Sequence, residues 1–197
     1  MVTWCNQKTV FVSNFIMKEN EFALIERILK GETDLYSYFV SHYNKDVFQL
    51  AFQLTKNREL SEDLTQDAFV KGFLNLKSFQ QKSQFSTWLY RISYNLIINE
   101  LRKKKPVVEF LNEDTSFNEN IAEIDDFFAQ NETENLYQKL ETALQTLSKE
   151  EYALILFHYY EQKTIDEIAF ITTQTASNVK VKLFRIRKKL FNIMCYE

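Results

Sequence analysis

From residue 21 onward apolar residues recur at intervals of three and four, the spacing of one buried face on an α-helix. Phe22, Ile25, Ile28 and Leu29 form one stripe, Val47, Leu50, Ala51 and Leu54 a second, and Leu60, Leu64, Ala68, Phe69, Phe73 and Leu76 a third. Ser61, followed by Glu62 and Asp63, predicts the start of the third helix: a hydroxyl caps unpaired amides, and carboxylates favour the positive end of the helix dipole. A fourth helix is predicted from about Phe85 to Lys105, with Trp88, Leu89, Ile92, Leu96 and Leu101 inward, and Pro106 ends it.

The pattern lapses from Val107 to Asn135 and returns at Leu136, Leu140, Ala143, Leu144 and Leu147. Ser148 with Glu151 reads as a capping box opening a helix through Tyr159, and Thr164 with Glu167 as another opening a short one. Thr175 caps a last helix whose inward positions are Val179, Leu183, Ile186 and Leu190. A short capped helix, the polar Thr172, Thr173 and Gln174, and a longer helix together have the form of a helix-turn-helix. The predicted fold class is all-α: an N-terminal extension 1–20, a helical domain 21–106, an acidic flexible linker 107–135 and a helix-turn-helix domain 136–197. Phe110, Phe117, Ile121, Ile124, Phe127 and Phe128 are more large apolar groups than a purely disordered tether carries, which leaves open that part of the linker docks on a domain.

Composition supports the helical reading. Two glycines and one proline in 197 residues cannot supply the frequent turns of a β-sandwich or the glycine-rich loops of a doubly wound fold. Net charge changes the picture more. The value of −3 argues against a nucleic-acid partner only if charge is evenly spread. Lys and Arg outnumber Asp and Glu 15 to 11 up to Pro106, stand at 0 to 9 from Val107 to Glu134, and at 9 to 7 beyond, so one acidic segment masks two mildly basic flanks. Cys5 and Cys195 fit neither a zinc site nor a disulfide framework and read as reduced thiols of a cytoplasmic protein. Val10–Met17 resembles a signal-peptide core but is followed by Lys18, Glu19, Asn20 and Glu21 rather than small residues.

Three clusters carry chemistry. On the last helix Ser177, Asn178, Lys180, Val181, Lys182 and Arg185 would face or flank a DNA major groove, and Lys180 to Lys189 holds six bases and no acid. The stretch from Lys77 to Asn95 interleaves Phe79, Phe85, Trp88 and Tyr90 with Lys77, Lys82 and Arg91, which gives π-faces, polar groups and cations for bases taken out of a duplex; Trp88 also fits the apolar stripe. Arg102, Lys103, Lys104 and Lys105 add a phosphate-binding cluster. Asp63, Gln66 and Asp67 form a polar helix face better suited to docking a basic partner than to holding a metal, since no further ligand stands at helical spacing. The lone His158 reads as a packed or surface histidine.

At Glu62–Phe69 (EDLTQDAF), Phe85–Ile92 (FSTWLYRI) with Asn95, Ile165–Ala169 (IDEIA) and Val179–Arg185 (VKVKLFR), the chain resembles bacterial RNA polymerase sigma factors of the extracytoplasmic-function (ECF) group. The resemblance implies that Asp63, Gln66 and Asp67 dock on core RNA polymerase. It implies that Phe79, Lys82, Phe85, Trp88, Arg91, Asn95, Arg102 and Lys103 recognise and melt the minus-ten element. Ser177, Asn178, Lys180, Lys182, Phe184 and Arg185 would read the minus-thirty-five element, and the acidic linker would replace the intermediate domain of larger sigma factors. It further implies promoter DNA and an anti-sigma factor as partners, no cofactor or metal, and no catalytic activity. Thr172–Thr175 lacks the family's usual Gly and Pro, and Val181 stands where serine is common. Two other readings are a stand-alone helix-turn-helix regulator binding duplex DNA, and a metal-dependent nuclease built on Glu62, Asp63 and Asp67.

Overall fold

The computed structural model describes residues 21–103 and 134–196, with side chains from 139 to 194 in the second stretch. The N-terminal extension, Cys5, Val10–Met17, Pro106, the linker and the Cys195 side chain lie outside the described residues. The described backbone is helical, and the chain falls into two compact units that part at Ile97 and Ile98.

In the first unit, α1 spans residues 21–29 and closes at Gly31, whose φ of 115° is open to glycine alone at low cost. A 3-10 turn, Thr33–Leu35, leads into α2, Tyr36–Thr55, which packs antiparallel to α3, Arg58–Leu74. A second 3-10 turn, Leu76–Ser78, and residues 79–84 precede α4, Phe85–Lys103. The stripe on α2 is buried as expected, with Val47, Leu50, Ala51 and Leu54 at most 3% exposed.

Elsewhere tertiary packing shifts the expected pattern. The α3 helix starts three residues before Ser61: Asn57 is the cap, its Oδ1 accepting from the Leu60 amide at 3.0 Å. Ser61 is fully buried and donates to the Asn57 carbonyl. Leu29 and Phe73 are 43% and 38% exposed rather than core. On α4 the buried face is Leu89, Tyr90, Ser93, Tyr94, Ile97 and Ile98, whereas Ile92, Leu96 and Leu101 are half-buried. Ser93 occupies an apolar face because its hydroxyl donates to the Leu89 carbonyl at 2.9 Å, so no polar atom is left unpaired.

Contact between α2 and α3 depends on Gly72. A Cβ there would lie 2.7 Å from the Tyr36 Oη, which donates to the Phe69 carbonyl at 3.0 Å inside the unit. Burial pushes the Tyr36 phenol well above its usual range, so it remains a neutral donor. Gly72→Ala gains about 1 kcal/mol of helix propensity but displaces the hydroxyl. We expect a net loss of about 1–2 kcal/mol in urea unfolding, and Tyr36→Phe, costly alone, to recover part of it in the Gly72→Ala background.

In the second unit, α5 is Glu134–Gln145, α6 Lys149–Ile155, α7 Ile165–Thr172 and α8 Ala176–Tyr196. Both capping boxes form: Ser148 and Glu151 exchange bonds of 3.1 and 2.8 Å, and Thr164 and Glu167 of 3.3 and 3.0 Å. Thr175 Oγ1 accepts from the Asn178 amide at 3.2 Å to open α8. Val179, Leu183, Ile186 and Leu190 are at most 4% exposed and pack with the fully buried Phe157, Ile168 and Ile171. The α6 helix ends in a π turn, Leu156–Tyr160, where an α-helix through Tyr159 was expected.

The turn between α7 and α8 places Thr173 at φ 57°, ψ 42°, closed by the Gln174 amide donating to the Ala169 carbonyl at 2.9 Å. A β-branched residue in the left-handed region is strained by about 1–2 kcal/mol. Thr173→Gly is expected to stabilise the protein by about 0.5–1 kcal/mol after the entropy cost of glycine, read as a higher Tm.

Candidate nucleic-acid interface

The segment between α3 and α4 is pinned at both ends by aromatic rings. Phe85 is fully buried, with ring centroids 4.2 Å from Phe39, 5.6 Å from Trp88, 5.8 Å from Tyr43 and 5.9 Å from Phe79. Phe79 also meets Trp88 at 5.3 Å and Phe22 of α1 at 6.1 Å. Behind them the Tyr43 hydroxyl donates to Glu21, whose carboxyl is pushed up by burial.

This cluster corrects one expectation. Phe79, Phe85 and Trp88 are 8%, 0% and 8% exposed, so none offers a free face to an unstacked base. They hold the loop instead. Between the two anchors Gln80, Gln81, Lys82 and Gln84 project into solvent, and Gln81 adopts a left-handed φ of 56°. On α4, Asn95, Asn99 and Arg102 are exposed and Arg91 half-buried, one strip at helical spacing from the loop toward the basic end of the helix. Lys103 is exposed and paired with Glu100 at 3.1 Å. Asn99 was not singled out from sequence, although its i, i+4 relation to Asn95 was readable.

On α3, Asp63, Gln66 and Asp67 are exposed on one face, and the face continues into Val70 and Leu74, 57% and 70% exposed. Those two apolar residues were also missed. Glu62 forms an ion pair with Arg58 at 2.9 Å, and among the described residues no three His, Cys, Asp or Glu side chains come together as a metal site.

On α8, Ser177, Asn178, Lys180 and Arg185 are exposed, and Lys182 and Phe184 are half-buried. Ser177, Asn178, Val181 and Arg185 lie opposite the buried stripe, where a major groove would be met. The six cations are not equivalent. Lys189 donates to Glu151 Oε2 and to the Thr146 carbonyl, both at 3.3 Å, and so ties α8 to the cap of α6.

Residues 39–107 match the family model described as sigma-70 region 2, and residues 137–190 that described as sigma-70 region 4. The chain is 32% identical over 157 residues, covering 72% of itself and 81% of the other protein, to a probable RNA polymerase sigma factor of Haemophilus influenzae. It belongs to the sigma-70 family of RNA polymerase sigma factors, in the ECF group. This sigma factor is also 28% identical over 173 residues to the ECF RNA polymerase sigma factor SigW of Bacillus subtilis, covering 84% of this chain and 92% of that protein. Among solved structures, CnrH in complex with the cytosolic domain of CnrY has a similar fold, with a TM-score of 0.60 and 17% identity over 87% of this chain and 95% of that one. A sigma factor RpoE in complex with the anti-sigma factor NepR, from Bartonella quintana, gives 0.56 and 17%, covering 82% and 98%. The region 2 match takes in the pinned loop and the α3 face, and the region 4 match takes in the helix-turn-helix.

If Phe85 is structural, Phe85→Ala should cost about 3–5 kcal/mol in urea unfolding of the free protein. Lys82→Ala should leave the unfolding curve unchanged and reduce only DNA-dependent signals.

Proposed function

We propose that this sigma factor binds core RNA polymerase, directs it to specific promoters and helps open the DNA for initiation. Carrying the reading is the pairing of a rigidly anchored, solvent-facing polar loop in one unit with a helix-turn-helix in the other. Each answers a different physical need. Melting requires a partner for an unpaired base. The loop offers the carboxamides of Gln80, Gln81 and Gln84 to base edges and Lys82 to phosphate, backed by Arg91, Asn95, Asn99 and the basic end of α4. Duplex recognition needs a helix that fits the major groove, and Ser177, Asn178, Lys180 and Arg185 stand exposed on α8.

The α3 face is the docking surface for core polymerase in this reading. Asp63 and Asp67 supply charge, Gln66 hydrogen bonding, and Val70 and Leu74 apolar area next to them, a combination found at protein interfaces rather than on idle surface. The domain limits are 21–106 and 136–197, joined by the acidic linker 107–135. We infer that the protein works in the cytoplasm, has no catalytic activity of its own and is held by an anti-sigma factor; the last rests on similar folds solved with such partners. A nuclease would need Glu62, Asp63 and Asp67 to converge on one ion, whereas Glu62 is engaged by Arg58 and the other two face solvent. A stand-alone helix-turn-helix regulator leaves the anchored loop without a role.

In vitro transcription with purified core polymerase tests the proposal: initiation at a discrete promoter set supports it, and failure to bind core polymerase sinks it. Asp67→Ala is expected to weaken core binding while duplex contacts persist. Lys180→Ala or Arg185→Ala should lower promoter affinity by about 1–3 kcal/mol where a base contact is lost, with core binding intact. Equal loss of core binding in both classes would refute the division of labour.

A further inference from the structure

Among the cations of α8, Arg187 stands apart in its surroundings. It lies about two turns after Lys180 and two residues after Arg185, on the flank that also carries Phe184 and off the side of α8 that would face a groove. Its Nε donates to the Tyr159 hydroxyl of the π turn, and its guanidinium carbon is 5.6 Å from that ring's centroid. Tyr159 itself is 47% exposed and braced by the edge of His158 at 4.8 Å and by Gln162, whose Nε2 donates to the Tyr159 carbonyl at 2.7 Å. A π turn in place of an α turn is a local cost that recurs at functional positions.

The chemistry of the pair is specific. Lys189 donates to a carboxylate, whereas Arg187 donates to a hydroxyl. The bond uses one of the five guanidinium N–H donors, and the Tyr159 hydroxyl accepts it. A planar fork held at its Nε by the Tyr159 hydroxyl matches the tetrahedral oxygens of a phosphate. Fixing the arginine beforehand also lowers the entropy lost on contact.

We propose that Arg187 contacts a DNA phosphate on the strand bordering the groove entered by α8, with Tyr159 as its positioning residue. This rests on the promoter-binding reading above. The contact is independent of base sequence: it sets how deeply and at what angle α8 sits, while Lys180 and Arg185 read the bases.

The test uses the full chain with core polymerase, on a promoter duplex found by mapping transcript starts and on the same duplex with its upstream element scrambled, over a range of salt. Arg187→Ala is expected to weaken binding to both duplexes by the same factor and to reduce the salt slope by about one. Tyr159→Phe, which keeps the ring and removes the acceptor, should move both quantities part of the way with an unchanged Tm. Arg187→Lys should restore the slope but not the full affinity. An unchanged slope in Arg187→Ala, or a loss confined to the unscrambled duplex, overturns the inference while leaving the promoter-binding reading standing. A wild-type protein that gives no promoter-specific complex with core polymerase overturns both.

Discussion

The packing of Phe85 against Phe39, Tyr43, Phe79 and Trp88 is the constraint on which the first unit depends. It joins α2, the segment after α3 and the start of α4 through one buried ring, so the residues between Phe79 and Phe85 have both ends fixed. A polar loop of this length would otherwise sample many conformations and lose their entropy on every binding event. Anchoring it inside the core transfers that cost to folding. The loop can then hold Gln81 in a left-handed conformation while its polar groups stay in water.

The second unit solves a related problem by different means. Among the described residues its core is aliphatic apart from Phe157 and Met194, and its helix starts are set by hydrogen bonds rather than by rings: Ser148 with Glu151, Thr164 with Glu167, and Thr175 with the Asn178 amide. Glu151 serves twice, closing the cap of α6 and accepting from Lys189 of α8. The C-terminal part of α8 is thereby tied to the start of α6, and a cation that composition alone would assign to DNA is engaged within the unit. Thr173 carries the strain of a turn that a glycine would relieve.

What was legible in the sequence follows the range of the forces involved. The capping signals at Ser148, Thr164 and Thr175 are local in chain distance, and they were readable because hydroxyl, carboxylate and amide lie within three residues of each other. The stripes of α2 and α8 were equally plain. The face of α4 was not, because Tyr90, Ser93 and Tyr94 look polar in a one-dimensional reading while Ile92 and Leu96 look apolar. Only the neighbours of α4, and the bond from Ser93 to the Leu89 carbonyl, decide which side turns inward. Asn57 was passed over as a cap for a similar reason: Ser61 with two following acids is the stronger local signal, but the left-handed Lys56 ends α2 early and starts α3 at Arg58.

The aromatic residues between Phe79 and Trp88 show where such reading breaks down in principle. A ring that stacks on a base and a ring that fills a core present the same letter at the same spacing, and both lie beside cations in a nucleic-acid-binding segment. Burial separates them, and burial is a property of the whole unit. Under the proposed function, base recognition would pass from π-faces to the amides of glutamines, groups that discriminate by hydrogen bonding rather than by stacking. Stacking on a ring tolerates any base. A carboxamide held at fixed distance by a buried anchor does not, so the rigidity supplied by Phe85 is what would let this loop distinguish one base from another.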